Sequence, residues 1–582
     1  MRPFLVTAPE ARRLPYWALA TLLAFYILPG FIGRDPWRSA DAIGFGIAHA
    51  MFAGQWSQWL LTEVAGQAVT QSGPLAYWFA AIVARLLHGL SFGLIDAAAG
   101  VRLAAAGLLA LGLLLLRAAT ARLASRAEAQ PLDPFGAGAG PLAYGRAVAD
   151  ASLLLALATF GLIARVHETT AEAAMLTVTA GFLFGLARAC DAPRAGGIML
   201  GAAIAAAALV RTPAVASLYL LSTLLACIAV RPLRLNARVV LPVALLVATA
   251  LILPWPLALN ILDRPEATAQ LSGWFGWSTA TSGATVQFAW AARTLPWFLW
   301  PSWPIAARTL WLGRNRFEEA PIGVPLSLSV VLLLGLSVAL FTGRASEASL
   351  IPLTIPMAML AALGLPTLAR SVTRLIDWFT VIVFSLFGLA VWAWWVAWIT
   401  GWPAKLAAQS TRFAAGFSGM TETAAFLPTL TAGLLASIGW LTLVRWRLAR
   451  RPPMLWRPVI LAGAGMSLAW FLLMTLWMPV FDWRNTYREV GRQLHGQVAA
   501  EPDACVEARG LDLAQRASLA WFADLEFARE DQPKDCPWLL LADRRGLTQA
   551  TVADQWKPVW EGRRPADRNE RFRLYRRTVA QP

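Results

Sequence analysis

The chain of 582 residues is poor in charge: only 14% of its residues are Asp, Glu, Lys or Arg, whereas 58% are hydrophobic. A soluble globular domain carries about 25% charged residues. Apolar runs of about 20 residues recur along the chain, and each is long enough to cross a bilayer as a helix. The sequence therefore excludes a series of soluble domains and predicts a polytopic, mainly α-helical membrane protein.

The side chains that usually build hydrolase and metal centres are also scarce. The four histidines are far apart, and the four cysteines have no spacing typical of a zinc or haem site. The pattern G-x-S-x-G occurs once, as GLSFG (89–93), but it ends an apolar run and does not follow a strand, so it is not a nucleophile elbow; the sequence contains no H-E-x-x-H motif and no P-loop. These absences argue against a hydrolase, exclude a zincin and predict no metal site built from histidines.

Positive charge is concentrated between the apolar runs. The chain has 50 Lys and Arg against 34 Asp and Glu, a net charge of +16. Because arginine-rich loops between spans are cytoplasmic, this charge indicates topology and affinity for anionic lipid, not nucleic-acid binding. The arginines recur in alternate loops, which predicts about thirteen spans in a bacterial inner membrane, with a cytoplasmic N-terminus and a periplasmic C-terminus. The predicted spans are at about 16–33, 97–117, 149–164, 169–187, 197–210, 213–230, 239–259, 296–313, 325–342, 349–366, 377–399, 426–444 and 458–480.

Two outer segments stand apart from the spans. The first periplasmic loop is predicted at about 34–96, and its stretch 73–93 fits either a short span or a helix in the membrane interface. The polar tail, 481–582, is predicted to be a small periplasmic α/β domain after a membrane domain at 1–480. The tail contains Cys505 and Cys536, for which a disulfide and two free thiols both remain open.

Ionisable residues cluster at two places on the predicted outer side. The stretch GRDPWRSADAIGFG (33–46) carries Asp35 and Asp41 just after the first span, and Glu63 lies further along the same loop. The stretch VHETTAE (166–172) places His167, Glu168 and Glu172 in a tight turn between two spans. Ionisable groups at membrane depth mark functional sites, although a hydrated turn that begins a helix also explains the second cluster.

Several stretches resemble the bacterial GT-C glycosyltransferases related to protein O-mannosyltransferases, and within them the lipid A aminoarabinose transferases. The resemblance rests on ADAIGFGIAHAM (40–51), TQSGPLAYW (70–78), HETTAEAAM (167–175) and LIPLTIPMAMLAA (350–362). It implies a GT-C fold of about thirteen spans with a large first periplasmic loop. It also implies transfer of a sugar from a polyprenyl (undecaprenyl) phosphate carrier to a periplasmic acceptor such as lipid A, a glycan or a protein.

The resemblance assigns roles to particular residues. Asp41 stands at the second acid of the family's acidic pair and is the expected base, with Asp35 as its rival, while Ala40 replaces the first acid. Glu172 matches an acid in a short outer turn. The substrate- and phosphate-binding candidates are arginines that match phosphate geometry and other polar residues of the outer loops. They are Arg34, Arg38, Glu63, Tyr77, His167, Glu168, Arg211 and Arg344.

One departure from the family leaves alternatives open. Gln71 and Ser72 stand where the family has a glutamate and a lysine, which removes a metal ligand and a phosphate contact. The sequence therefore assigns no metal ligand and no cofactor, although the family leaves a divalent metal possible. We expect an inverting enzyme that works as a monomer. A transporter or flippase of lipid-linked sugars and a catalytically degenerate paralogue with an accessory role remain as alternatives.

Overall fold

The fold is described from a computed structural model. It describes residues 6–54, 56–70, 72–131, 133, 136–262, 264–276, 284–313, 323–342, 346–417, 426–449, 454–498, 505–529, 536–544, 555–564, 566–567 and 569–578.

Helices make up most of the described chain, in keeping with its apolar composition. The first twelve are α1 (Tyr16–Ile27), α2 (Ala40–Ala53), α3 (Trp56–Leu60), α4 (Leu75–Leu90), α5 (Ala97–Ala124), α6 (Pro141–Ala158), α7 (Leu162–Arg165), α8 (Ala171–Ala189), α9 (Pro193–Val210), α10 (Pro213–Ala229), α11 (Arg231–Ile252) and α12 (Pro254–Leu262). The remaining twelve are α13 (Pro265–Phe275), α14 (Ala284–Phe298), α15 (Ser302–Gly313), α16 (Gly323–Thr342), α17 (Glu347–Gly364), α18 (Arg370–Thr400), α19 (Ala404–Phe413), α20 (Phe426–Ala449), α21 (Arg457–Leu476), α22 (Met478–Asn485), α23 (Arg488–Val498) and α24 (Leu513–Ala523).

Nine of the described helical segments are long and apolar enough to cross a membrane. They are Ala97–Ala124, Pro141–Ala158, Ala171–Ala189, Pro193–Val210, Arg231–Leu262, Glu347–Thr367, Arg370–Thr400, Phe426–Leu448 and Arg457–Leu476. Each of the nine contains or overlaps a predicted span, and shorter apolar helices or helical stretches occupy three further predicted spans, at Tyr16–Ile27, Pro213–Ala229 and Ser327–Ser337. The chain is a multi-pass membrane protein.

Several predicted spans have different bounds in the structure, and two of them differ in ways that affect the fold. The span predicted at 149–164 begins earlier, at Pro141, and ends at Ala158. The span predicted at 296–313 is broken between α14 and α15. At the break, the carbonyl oxygens of Phe298 and Trp300 accept hydrogen bonds of 2.9 Å from the amides of Gly161 and Phe160. The exposed carbonyl groups thus find partners outside their own helices.

Small residues bring the spans into close contact. The Gly201 site in α9 lies so near α11 that a Cβ atom there would be 2.5 Å from the carbonyl oxygen of Ala244. Membrane helices gain stability from such close backbone approach because lipid supplies no hydrophobic force between them. Asp96 starts α5 by accepting a hydrogen bond of 2.7 Å from the amide of Ala99. The stretch predicted at 73–93 forms one helix, α4.

The tail folds as an α/β domain with a four-stranded sheet, as its sequence predicts. Its strands are β3 (Val506–Arg509), β4 (Trp538–Arg544), β5 (Trp556–Gly562) and β6 (Glu570–Arg577), and a two-residue hairpin, β1 (Glu63–Val64) and β2 (Gln67–Ala68), lies in the first loop. The sheet order is β3-β4-β6-β5, with β3 and β4 parallel and the other pairs antiparallel. Cys505 and Cys536 form a disulfide. The sequence predicts strands in CVEARGL (505–511), CPWLLLAD (536–543) and FRLYRR (572–577), which correspond to β3, β4 and β6, but it predicts no strand at β5.

Ion pairs and helix packing join the first loop to the C-terminal α/β domain, which is called the outer domain after the side of the membrane that the sequence predicts for it. Helix α24 of that domain packs against α2. Arg529 binds Glu63 at 2.8 Å and Glu266 at 3.0 Å, and so connects the outer domain to β1 and α13. The loop that carries Asp35 and Asp41 is therefore held between the membrane helices and the outer domain.

Candidate active site

Asp41 lies at the centre of a buried hydrogen-bond network. One carboxylate oxygen accepts from the Arg34 guanidinium at 2.7 Å and from the Trp37 amide at 2.9 Å. The other accepts from the amide and the hydroxyl of Thr169, both at 2.6 Å. Burial raises the pKa of Asp41, but Arg34, Arg102 and Thr169 outweigh it and lower the pKa below 3.8. A carboxylate with this pKa and four donors is a weak base.

Helix α2 and the turn before α8 touch backbone to backbone, which explains why Asp41 reaches Thr169. A Cβ atom at Gly44 would lie 1.9 Å from the carbonyl oxygen of Thr169. No side chain fits there, so glycine allows the approach. The two acidic clusters of the sequence thereby become one site.

Glu168 lies beside this network and differs from Asp41. Among the residues that the structure describes, none makes a hydrogen bond or ion pair with its carboxylate. Burial and, to a smaller extent, the Asp41 carboxylate raise the pKa of Glu168 to about 7, although Arg165 and Arg34 oppose the increase. A partly buried, unpaired carboxyl group with a pKa near neutrality matches what a general base requires.

Glu172 forms a second ion pair at the start of α8. Its carboxylate binds the guanidinium of Arg211 at 2.7 Å. The buried Tyr77 phenol is close enough to both charges to interact with them electrostatically. The structure thus brings Glu172, Arg211 and Tyr77 together, and the Glu172 carboxylate is close enough to Glu168 to interact with it electrostatically.

Asp35 points away from Asp41 and binds the outer domain. Its carboxylate forms a bidentate ion pair with Arg488 and accepts a hydrogen bond of 2.7 Å from the Thr486 hydroxyl. The Asp482 carboxylate accepts from the Asp35 amide at 2.8 Å and from the Trp37 indole at 2.9 Å. Burial and the nearby Asp35 carboxylate raise the pKa of Asp482 to about 6.

A cavity of about 690 Å³ opens beside Asp35, between α1, α21, α22 and α23. Its membrane-side wall includes Leu28, Phe471 and Met474, and its outer rim includes Arg492. The size lies in the range of small-molecule sites. An apolar wall with a charged rim suits an amphiphile.

Arg102 is a buried site residue that sequence analysis missed. It is 6% exposed and interacts electrostatically with Asp41, Asp35 and Asp482. Its Nε and one terminal nitrogen have no hydrogen-bond partner within the described structure. The signal was present in AAAGVRLAAAG (97–107), because an arginine within an apolar span is a functional candidate.

Three predicted site residues make their contacts outside the Asp41 network, and a fourth is not among the described residues. His167 is fully buried, with its ring nitrogens 2.5 and 2.8 Å from backbone carbonyl oxygens, and burial lowers its pKa to about 4. Arg38 approaches Asp567 of the outer domain at 3.7 Å, and Glu63 binds Arg529. Arg344 lies outside the described residues.

The site does not fit a metal centre within the described part of the chain. No group of three or more His, Cys, Asp or Glu side chains is close enough to hold a metal ion there. The oxygen atoms of Asp41 already accept hydrogen bonds from protein donors. Gln71 lies outside the described residues. We therefore derive no metal-dependent step.

The polytopic fold has counterparts among solved structures. Two solved structures share it: ArnT from Cupriavidus metallidurans in the apo state, and the same protein bound to undecaprenyl phosphate. In each comparison the TM-score is 0.66, the identity is 15%, and the match covers 96% of this chain and 97% of the ArnT chain. No protein-family model and no curated protein sequence matches the chain. The likeness therefore establishes the fold.

Proposed function

We propose that this chain is an inverting glycosyltransferase that moves a sugar from a polyprenyl-phosphate carrier to a periplasmic acceptor. The observation that carries the proposal is the unpaired Glu168 carboxyl group, with its pKa of about 7, next to Arg34 and Asp41. Support comes from the ArnT fold, since one ArnT structure holds undecaprenyl phosphate. The apolar cavity beside Asp35 also suits a lipid chain.

Glu168 is the proposed base. A hydroxyl oxygen of the acceptor forms a new bond to the anomeric carbon, and its proton moves to a Glu168 carboxylate oxygen. The bond from the anomeric carbon to the phosphate oxygen breaks, and its electron pair leaves with the polyprenyl phosphate. Attack from the face opposite the phosphate inverts the anomeric configuration, through an oxocarbenium-like transition state.

Asp41, the base expected from sequence, is proposed as a positioning residue. Its four hydrogen bonds fix the Arg34 side chain and the turn that carries Glu168. Its negative charge also raises the pKa of Glu168. Asp41 therefore favours a Glu168 that holds and releases a proton near neutral pH.

Arg34 and Arg102 are the proposed contacts for the carrier phosphate. Arg34 retains a buried Nε atom without a hydrogen-bond partner in the described structure, and Arg102 retains two such nitrogens. Buried N–H groups without partners are costly, so a phosphate that accepts from them gains both charge and hydrogen bonds. Arg38 and Arg211 are weaker candidates because, in the described structure, neither has a buried nitrogen without a hydrogen-bond partner.

A carrier-binding accessory protein is the second candidate. The full hydrogen bonding of Asp41 favours it, because no Asp41 oxygen is left for an acceptor hydroxyl. Such a protein would bind polyprenyl phosphate without transferring sugar. A flippase would instead move the lipid-linked sugar across the membrane.

Mass spectrometry of envelope glycolipids and glycoproteins tests the proposal. Cells that lack this protein should lose one sugar from one species, either lipid A, another glycan or a protein. The wild type should restore the sugar, Glu168→Gln should not, and the exposed Glu526→Gln in the outer domain should restore it fully. An unchanged envelope in the deleted strain would refute the transferase, and full restoration by Glu168→Gln would refute the base.

A further inference from the structure

A second cavity of about 690 Å³ lies at the opposite membrane face from the candidate active site. Arg102 near the start of α5 belongs to the active site, and Arg122 near the end of α5 lines this cavity. Helix α5 has 28 residues, and a helix of that length spans roughly 42 Å. That length exceeds the hydrocarbon core of a bilayer, which is about 30 Å thick. The cavity therefore faces the other leaflet.

Three arginines line this cavity, and their charges are only partly neutralised. Arg122 binds Asp191 at 3.1 Å, and Arg126 binds Asp191 and Glu128. Arg146 makes no hydrogen bond or ion pair with any described residue. Three guanidinium groups thus face two carboxylates, and both carboxylates are more than one-third exposed.

Buried N–H groups without hydrogen-bond partners among the described residues indicate an anionic ligand in this cavity. The Nε atoms of Arg122 and Arg126 are buried and have no hydrogen-bond partner among the described residues. A ligand oxygen that accepts from them would relieve this cost. Phe184 and the exposed Leu142 also line the cavity, so its charged side chains lie beside apolar ones.

We propose that this cavity binds a phosphate group, carried by an anionic phospholipid of the cytoplasmic leaflet. Guanidinium groups match phosphate oxygens in a fork, and basic pockets between membrane helices on the cytoplasmic side bind lipid headgroups. Leu142 and Phe184 provide the surface along which an acyl chain lies. The proposal does not depend on the sugar-transfer function, because the two sites lie at opposite faces.

Purified full-length protein in lipid nanodiscs tests the proposal. Nanodiscs that contain phosphatidylglycerol or cardiolipin should raise the unfolding temperature above that in phosphatidylcholine alone. Native mass spectrometry should show retained anionic lipid. Each arginine contributes a factor of about five in lipid affinity, so Arg146→Gln should lower retention about fivefold and Arg122→Gln with Arg146→Gln about 25-fold.

The controls distinguish binding of an anionic lipid from binding of free phosphate and from a loss of folding in the variants. Arg234→Gln, at an exposed position near the start of α11, should retain lipid as the wild type does. Arg146→Gln removes no hydrogen bond or ion pair with a described residue, so its fold should be intact even where the double variant is unstable. Equal lipid retention by the wild type and Arg146→Gln would overturn the proposal. Stabilisation by inorganic phosphate in phosphatidylcholine nanodiscs, without any effect of anionic lipid, would overturn the lipid assignment.

Discussion

Replacing Glu168 with glutamine should abolish sugar transfer and stabilise the protein at the same time. Burial raises the pKa of Glu168 from 4.5 to about 7. The folded protein therefore holds this proton more tightly than the unfolded chain, and folding stability decreases as pH rises from about 4.5 to 7. This pKa shift corresponds to at most about 3 kcal/mol of folding free energy, which is fully present below about pH 4.5 and fully lost above about pH 7. Glutamine carries no charge, so the variant should avoid this loss.

Activity should have the opposite pH dependence. A base must be ionised, so the transfer rate should be roughly tenfold below its plateau at pH 6, about half of it at pH 7, and should level off above about pH 8. Loss of a general base typically lowers the rate by about 10²–10⁴-fold. The assays are thermal unfolding of the purified protein between pH 4 and pH 9, and sugar transfer in membrane vesicles over the same range.

Glu526→Gln is the matched control, since this exposed side chain should affect neither measurement. The reasoning would be refuted if Glu168→Gln and the wild type lost stability equally between pH 5 and pH 8. It would also be refuted if the variant kept the wild-type transfer rate. A variant that is less stable at every pH would show that Glu168 has a structural partner instead.

Three further predictions concern the support of the site. Asp41→Asn should lower the free energy of unfolding by about 3–5 kcal/mol, because the buried Arg34 charge loses its partner; an unchanged unfolding temperature would contradict this. Gly44→Ala should cost at least about 1–3 kcal/mol, because the new Cβ atom collides with Thr169, and wild-type stability would disprove the close approach. Cys505→Ser opens a disulfide across 31 positions and should cost the outer domain about 4 kcal/mol. Limited proteolysis should then give the same pattern as reduced wild-type protein, and equal resistance of the oxidised wild type and the variant would contradict the prediction.

The repeated apolar runs and the arginine-rich loops allow most of the membrane helices to be predicted from sequence. Three of the four strands in the outer domain are also predicted from sequence, although only β4 is a short apolar stretch that ends in charged residues. The helix break after Phe298 is not predicted from sequence. The carbonyl groups at this break accept hydrogen bonds from the amides of Phe160 and Gly161, which lie between α6 and α7. Such pairing depends on tertiary contacts and leaves no local pattern.

The candidate site was only partly predictable for a similar reason. Both acidic clusters stand out as ionisable groups beside apolar spans, so Asp41 and Glu168 could be named. Their different chemistry could not, since it depends on which donors surround each carboxylate. The contacts of Asp35 with Thr486 and Arg488 join positions more than 400 residues apart. No single-sequence pattern reveals such a pair.

The ties of Asp35 to the tail have a consequence for biogenesis. Thr169, the partner of Asp41, is 128 positions downstream of it, whereas Thr486 is 451 positions downstream of Asp35. At a synthesis rate of about 5–20 residues per second, the ribosome needs roughly 20–90 s to add the 451 residues between Asp35 and Thr486. The contacts of Asp41 with Thr169 can therefore form early, whereas those of Asp35 can form only after the tail has been synthesised. A nascent chain halted before the tail would contain the membrane helices yet lack the Asp35 contacts beside the candidate active site.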